Sequence, residues 1–224
     1  MKLYMHPAST TSRPVSLFAV ENDIALEQQV VDIFTGEHLQ EAFAKLNPNR
    51  LVPVLEDGEF CLTEGSAILK YLAEKTGSPA YPKELTARAR VNERMDWFNT
   101  DFYRTFGYGL VYSQILPNHR RPSEESQRVT IEWGREGAKK ALHVLNDHWL
   151  GTKNAYCCGD AITIADYMGA CYVSIGEIIR CDLSAYPNVR RWLERIKQLK
   201  SWPRVNEVFN GFAASVKDQP FIGL

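Results

Sequence analysis

The chain has 224 residues, 45% hydrophobic and 24% charged, a balance that excludes intrinsic disorder and predicts one or two folded domains. Lys plus Arg number 26 against 27 Asp plus Glu, so a net charge of −1 offers no electrostatic footprint for nucleic acid or an anionic membrane. No apolar run approaches the ~20 residues of a membrane span, and MKLYMHPAST lacks the long apolar stretch of a signal peptide. Five cysteines at irregular spacing (Cys61, Cys157, Cys158, Cys171, Cys181) form no CxxC pair. That argues against a thioredoxin-type redox centre and a four-ligand zinc site, and points to a reducing cytoplasm.

The elements change character along the chain. Lys2–His6 reads as a strand, Arg13–Glu21 as a helix, Gln28–Ile33 as a strand and His38–Leu46 as a helix. Val54–Glu56 and Glu59–Leu62 form a hairpin about Asp57-Gly58. Gly65–Lys75 is a strong helix stopped by Gly77 and Pro79. Residues 78–86 carry two prolines and no periodicity, and read as a linker. Beyond it every segment has helical period: Arg88–Asn99, Glu124–Leu150, a largely apolar Ile164–Ile179, Val189–Leu199 and Val205–Phe212. The expected fold is an α/β domain over 1–77 and an all-α domain over 87–224. Charge divides at the same place, 6 basic against 11 acidic residues before position 78 and 20 against 16 after it.

Three places call for explanation. Pro7–Arg13 puts four hydroxyls (Ser9, Thr10, Thr11, Ser12) where the first strand leads into the first helix. One of them suffices as a cap; the helix dipole with the others would suit an anion. Pro53 opens a strand, which fits a first-residue or a cis position. Thr63–Ala67 again joins a strand to a helix, where Glu64 either complements the helix dipole or serves a ligand. In the helical part, Thr163 and Asp166 have the spacing of a capping box.

Leu51–Leu72 (LVPVLEDGEFCLTEGSAILKYL) resembles the glutathione-binding core of cytosolic glutathione transferases, and LYMHPASTTSRPV resembles their serine-type active-site loop. Gly36–Pro48 and Thr86–Phe98 are similar to the theta class, and Gly159–Asp166 matches the family's GDxxTxAD segment. The resemblance implies a thioredoxin-like N-terminal domain, a C-terminal helical bundle and a homodimer. It implies Ser9 as the hydroxyl donor to the glutathione sulfur, Val52 as the backbone partner of the cysteinyl part and Pro53 as a cis proline. It further implies Glu64 at the γ-glutamyl end, His38 near the glycyl carboxylate and Arg50 as another basic contact. Gly65 stands where the family usually has Ser, with Ser66 next; if Ser66 does not supply that hydroxyl, Gly65→Ser should tighten binding.

The activity so implied is transfer of the glutathione thiolate to a small apolar electrophile, or glutathione-dependent peroxide reduction, with glutathione as co-substrate and no metal. Tyr103 and Phe106, spaced for one helical face, are the expected walls of the electrophile pocket, although periodicity fits them equally to the bundle core. From another class, a non-catalytic module binding apolar ligands or proteins stays open. Ser9, Pro53 and Glu64 favour the enzyme; Gly65 favours the module.

Overall fold

The computed structural model describes residues 1–224. Strand β1 (Lys2–Met5) leads through the hydroxyl-rich loop to α1 (Arg13–Glu21) and β2 (Glu27–Val30). A short 3-10 turn (Glu37–Leu39) and α2 (Glu41–Ala44) precede β3 (Val54–Asp57), β4 (Phe60–Thr63) and α3 (Gly65–Thr76). The sheet order is β2-β1-β3-β4, with β1 parallel to β2 and antiparallel to β3. Leu3 and Met5 alternate inward against Val15, Leu17 and Phe18 of α1 and Ile68, Leu69 and Leu72 of α3, all buried. This is a thioredoxin-like domain with a mixed sheet.

The helical domain begins at α4 (Leu85–Trp97), which starts inside the stretch expected to be linker because Glu84 caps it, accepting from Thr86 N–H (2.9 Å) and Ala87 N–H (2.7 Å). The rod continues through wide, π-type turns over Phe98–Tyr112 to Ser113–Ile115. Helix α5 (Glu124–His143) runs on through Val144–Leu150, and α6 (Ile164–Ser174), buried at every residue, ends in a 3-10 turn (Ile175–Ile179). Helices α7 (Pro187–Lys197), α8 (Trp202–Val205) and α9 (Glu207–Ser215) complete the domain. One continuous apolar core, from Leu3 to Phe209, runs through both domains. No helix is long and apolar enough to cross a membrane.

Three departures from the sequence reading have local causes. The hairpin turns on Gly58-Glu59, because Asp57 pairs with Phe60 as the last rung and Gly58 takes φ +63 at the first turn position. Asp57 instead ties the hairpin to α3, its carboxylate accepting from Tyr71 Oη (2.6 Å) and pairing with Lys75. The expected helix over His38–Leu46 breaks at an extended Gln40 (ψ 154), where the Leu39 carbonyl is taken by the Arg50 guanidinium. The expected helix over Val205–Phe212 breaks at Asn206, a buried residue that serves Arg13.

The expected cap of α6 is present, and it does more than cap. The Asp166 carboxylate, fully buried, accepts from Thr163 N–H (2.8 Å), Thr163 Oγ1 (2.8 Å), Cys157 N–H (2.7 Å) and Trp192 Nε1 (2.9 Å). It thus joins the start of α6 to the preceding loop and to α7. Asp166→Ala strands several buried donors, each costing about 1–3 kcal/mol when unpaired. We expect urea titration to show a loss of about 3 kcal/mol or more, with the activity of the remaining folded fraction unchanged.

Candidate active site

A cleft of about 830 Å³ lies where the two domains meet. Its floor on the sheet side is the loop before α1, the turn after β2, residues 51–53 and the start of α3; its far wall comes from the α4 rod, α6 and α9. Of the residues singled out in the sequence, Ser9, His38, Val52, Pro53, Glu64, Gly65, Ser66 and Tyr103 line it. Arg50 and Phe106 do not. Arg50 is exposed with φ +56 and bonds the Leu39 carbonyl. Phe106 is fully buried, its ring stacked 4.8 Å from Phe102 in the bundle core.

The four hydroxyls before α1 have been sorted by geometry. Ser12, immediately before the helix, has helical φ/ψ and makes no side-chain cap; its Oγ is buried without a partner. Ser9 does the capping from three residues back, its Oγ accepting from Ser12 N–H (3.3 Å) and its carbonyl from Arg13 N–H (3.0 Å). Thr11 Oγ1 donates to the Val52 carbonyl (3.0 Å) and lies 3.2 Å from Ser9 Oγ. Thr10 turns the other way, 2.5 Å from Tyr112 Oη on the α4 rod. Ser9 is therefore the hydroxyl at the head of α1 that caps from the cleft wall, where the helix dipole favours negative charge.

The Val52–Pro53 peptide is cis, and Val52 N–H has no partner in the chain. Glu64, exposed at the cleft, adopts φ +68, a left-handed conformation that costs a non-glycine residue about 1–3 kcal/mol and clusters at functional sites. The first hydrogen bond of α3 runs from Ile68 N–H to the Glu64 carbonyl (2.9 Å), which leaves the N–H groups of Gly65, Ser66 and Ala67 free for an anion. Ser66 Oγ accepts from Asn99 Nδ2 (3.1 Å), and Asn99 Oδ1 from Tyr172 Oη (2.9 Å), so the other domain holds this hydroxyl in place. His38 Nδ1 is buried and unpartnered. No cluster of His, Cys, Asp and Glu converges as around a metal ion.

The aromatic wall was only partly legible. Tyr103, Tyr108, Tyr112 and Tyr172 line the cleft with Ile178, Phe209 and Phe212. The π-type winding explains the miss: with i→i+5 turns, Tyr103 shares its face with Tyr108, five residues on, rather than with Phe106. Tyr108 is 43% exposed and sets its ring 5.0 Å from that of Tyr103. Burial raises the pKa of all four phenols, so each remains a neutral hydroxyl.

Residues 1–74 match the family model for the glutathione S-transferase N-terminal domain, and residues 121–200 that for the C-terminal domain. Glutathione S-transferase theta-2 of Rattus norvegicus is 35% identical over 208 residues, spanning 88% of this chain and 80% of that protein. The human theta-1 enzyme is 34% identical over 88% of this chain and 82% of its own length. Among solved structures, human theta-2 in complex with glutathione superposes with a TM-score of 0.84 at 28% identity, covering 99% of this chain and 92% of that one. A delta-class glutathione transferase of Nilaparvata lugens gives 0.82 at 31% identity over 96% and 98%. The chain belongs to the glutathione S-transferase family.

One expectation is reversed by the packing. A Cβ on Gly65 would sit 2.7 Å from the Thr11 carbonyl oxygen and 3.7 Å from Pro53 Cγ. The missing hydroxyl therefore cannot be restored there without pushing the Ser9–Thr11 loop, a strain of about 1–3 kcal/mol. Gly65→Ser should weaken glutathione binding by calorimetry, about thirtyfold at the middle of that range. Tighter binding in this variant would show that the loop yields.

Proposed function

We propose that the cleft binds glutathione along the edge of the thioredoxin-like domain and transfers its thiolate to a small apolar electrophile held against the tyrosine-rich wall. The observation that carries this reading is the juxtaposition of Ser9, at the head of α1, with the unpartnered Val52 N–H and the free N–H groups of α3. Val52 N–H pairs with the cysteinyl carbonyl. Glu64 takes the γ-glutamyl ammonium, while the α3 N-terminus and Ser66 take its carboxylate, with Pro53 and Gly65 shaping the floor between them. His38 Nδ1 meets the glycyl carboxylate. Arg50 has no part in this arrangement, nor has Phe106.

A free thiol has a pKa of about 8.5, so little of it is nucleophilic at neutral pH. Ser9 Oγ–H donating to sulfur, in the field of the α1 N-terminus, favours the thiolate. The sulfur then forms a bond to the electrophilic carbon as the leaving group departs or the double bond accepts the electron pair. Ser9 donates a hydrogen bond throughout and gives up no proton. Tyr103 and Tyr108 form the wall facing the electrophile. The Tyr108 hydroxyl, which bonds no other group of the chain, also suits an oxygen-bearing acceptor such as a hydroperoxide, reduced by the same thiolate. The five unpaired cysteines suit a cytoplasmic setting.

The division into a glutathione-binding domain over 1–77 and a helical domain from α4 onward, with the expected linker over 78–86 shortened at its end by the start of α4 at Leu85, belongs to the same proposal, as does a homodimer. Exposed Leu85, Val129 and Trp133 on α4 and α5 leave apolar surface for a second copy to cover. Light scattering should give about twice the chain mass of 25.5 kDa; a mass near one chain at micromolar concentration refutes the dimer.

Ser9→Ala should raise the pKa of bound glutathione, titrated by its ultraviolet thiolate absorbance, and lower neutral-pH turnover about tenfold or more, the effect of one pKa unit. Affinity should change much less, because most contacts lie elsewhere. An unchanged pKa and rate in Ser9→Ala would remove the serine from the mechanism. A wild-type protein that binds glutathione but turns over no electrophile or hydroperoxide would be a binding module instead.

A further inference from the structure

Between the Ser9 loop and the helical wall of the cleft runs a chain of three hydroxyls that this reading leaves unused. Thr10 Oγ1 lies 2.5 Å from Tyr112 Oη, and Tyr112 Oη lies 2.7 Å from Tyr103 Oη. Thr10 is 5% exposed and Tyr103 9%, yet all three residues line the cleft beside Ser9. The chain crosses between domains, from the loop before α1 to the α4 rod.

The protons of this chain have a preferred direction. Three hydroxyls share two hydrogen bonds, so one O–H is left over. Were Thr10 to donate to Tyr112 and Tyr112 to Tyr103, the spare proton would sit on Tyr103. That oxygen has no other partner and is packed among the rings of Tyr108, Tyr112 and Tyr172. A buried donor left unmatched costs about 1–3 kcal/mol. The same objection meets a Tyr112 that accepts from both sides, since no further acceptor lies by its oxygen. Thr10 is as buried as Tyr103, so burial alone does not choose. A phenol (pKa about 10) is a better donor and an alcohol oxygen a better acceptor. Tyr103 therefore donates to Tyr112, Tyr112 donates to Thr10, and the spare O–H is that of Thr10, on the cleft beside Ser9. Each hydroxyl that accepts becomes a better donor, so the free proton lies at the polarised end of the chain.

The neighbouring hydroxyls are less free. Thr11 spends its proton on the Val52 carbonyl, so Ser9 donates to Thr11 Oγ1 across 3.2 Å and must leave that acceptor to meet a sulfur. Thr10 gives up nothing. A thiolate attacking a molecule on the helical side must also point its sulfur towards the gap that the Thr10–Tyr112 bond spans.

We propose that Thr10 is a second hydroxyl donor to the glutathione thiolate, and that Tyr112, backed by Tyr103, is the positioning residue that orients and polarises it. The inference rests on the placement of the glutathione sulfur at Ser9. It assigns two phenols of the electrophile wall a role in setting the reactivity of the nucleophile, although neither reaches the sulfur.

The test is the pKa of bound glutathione in hydroxyl-deletion variants. Tyr112→Phe should raise it by about half a unit and lower turnover at slightly acid pH about threefold, with the KM for glutathione little changed and the melting temperature a few degrees lower because the buried Tyr103 O–H loses its acceptor. Tyr103→Phe, which keeps the Tyr112–Thr10 bond, should shift it less in the same direction. Thr10→Val should shift it at least as far as Tyr112→Phe, and Thr10→Ser should restore the wild-type value. The double variant Thr10→Val/Tyr112→Phe should match Thr10→Val alone, because Tyr112 acts through Thr10. A bound-thiol pKa that Ser9→Ala raises and Tyr112→Phe leaves unchanged overturns this inference alone; so does additivity in the double variant. Wild-type protein that binds no glutathione overturns the underlying placement, and the inference with it.

Discussion

A buried guanidinium with no carboxylate partner joins the two domains. Arg13, the first residue of α1, is fully buried; its Nη1 donates to Ser174 Oγ (3.1 Å) and Asn206 Oδ1 (2.7 Å), and its Nη2 to the Cys171 carbonyl (2.9 Å). Its Cζ lies 3.7 Å from the Phe209 ring centroid. Burial lowers its pKa, and an unmatched ion in such a place costs several kcal/mol. Every acceptor belongs to the helical domain: the last turn of α6, where the helix dipole favours a cation, and the break between α8 and α9. The break at Asn206 is intelligible on these terms, since its amide oxygen serves Arg13 while Nδ2 donates to the Trp202 carbonyl (2.9 Å).

Fixing the first residue of α1 against α6 also fixes the four residues before it. The loop cannot rotate about the helix axis, so each hydroxyl has one outlook. Ser12 points into the core, Thr11 to the strand side at Val52, Thr10 across the domain gap, and Ser9 caps the helix at the cleft. A cluster that composition alone presents as four equivalent donors is divided into separate tasks by one buried cation four residues from Ser9.

What could be read from the sequence follows the range of the interactions concerned. Helix α1 and the cap of α6 depend on neighbours within a turn, and the pattern of apolar and capping residues gives their place. The hairpin turn slipped by one residue because Asp57 is held by Tyr71 and Lys75, a tertiary contact invisible to turn propensity. Phe106 was indistinguishable from a pocket residue at a period of 3.6, and only the wider winding of the rod turns Tyr108 and Tyr112 into the cleft instead. Asn99, which holds Ser66, carries no signal in a polar stretch of helix. Gly65 read as a lost hydroxyl, whereas its constraint is the Thr11 carbonyl approaching from a segment fifty-odd residues away in the chain.

That close approach bears on how a net-negative tripeptide is held in the acid-rich half of the molecule. Among the residues lining the cleft there is no lysine or arginine, and the one carboxylate is Glu64. Long-range Coulomb attraction therefore contributes little, and recognition must come from oriented dipoles at contact distance. Those dipoles are available only if the head of α1 and the head of α3 lie side by side. A side chain at position 65 would hold them apart, while glycine lets the Thr11 carbonyl close on the first turn of α3. The absence of a Cβ thus lets the heads of α1 and α3 close together on the cleft, and the side-chain hydroxyl at the head of α3 is that of Ser66, steadied from the other domain by Asn99.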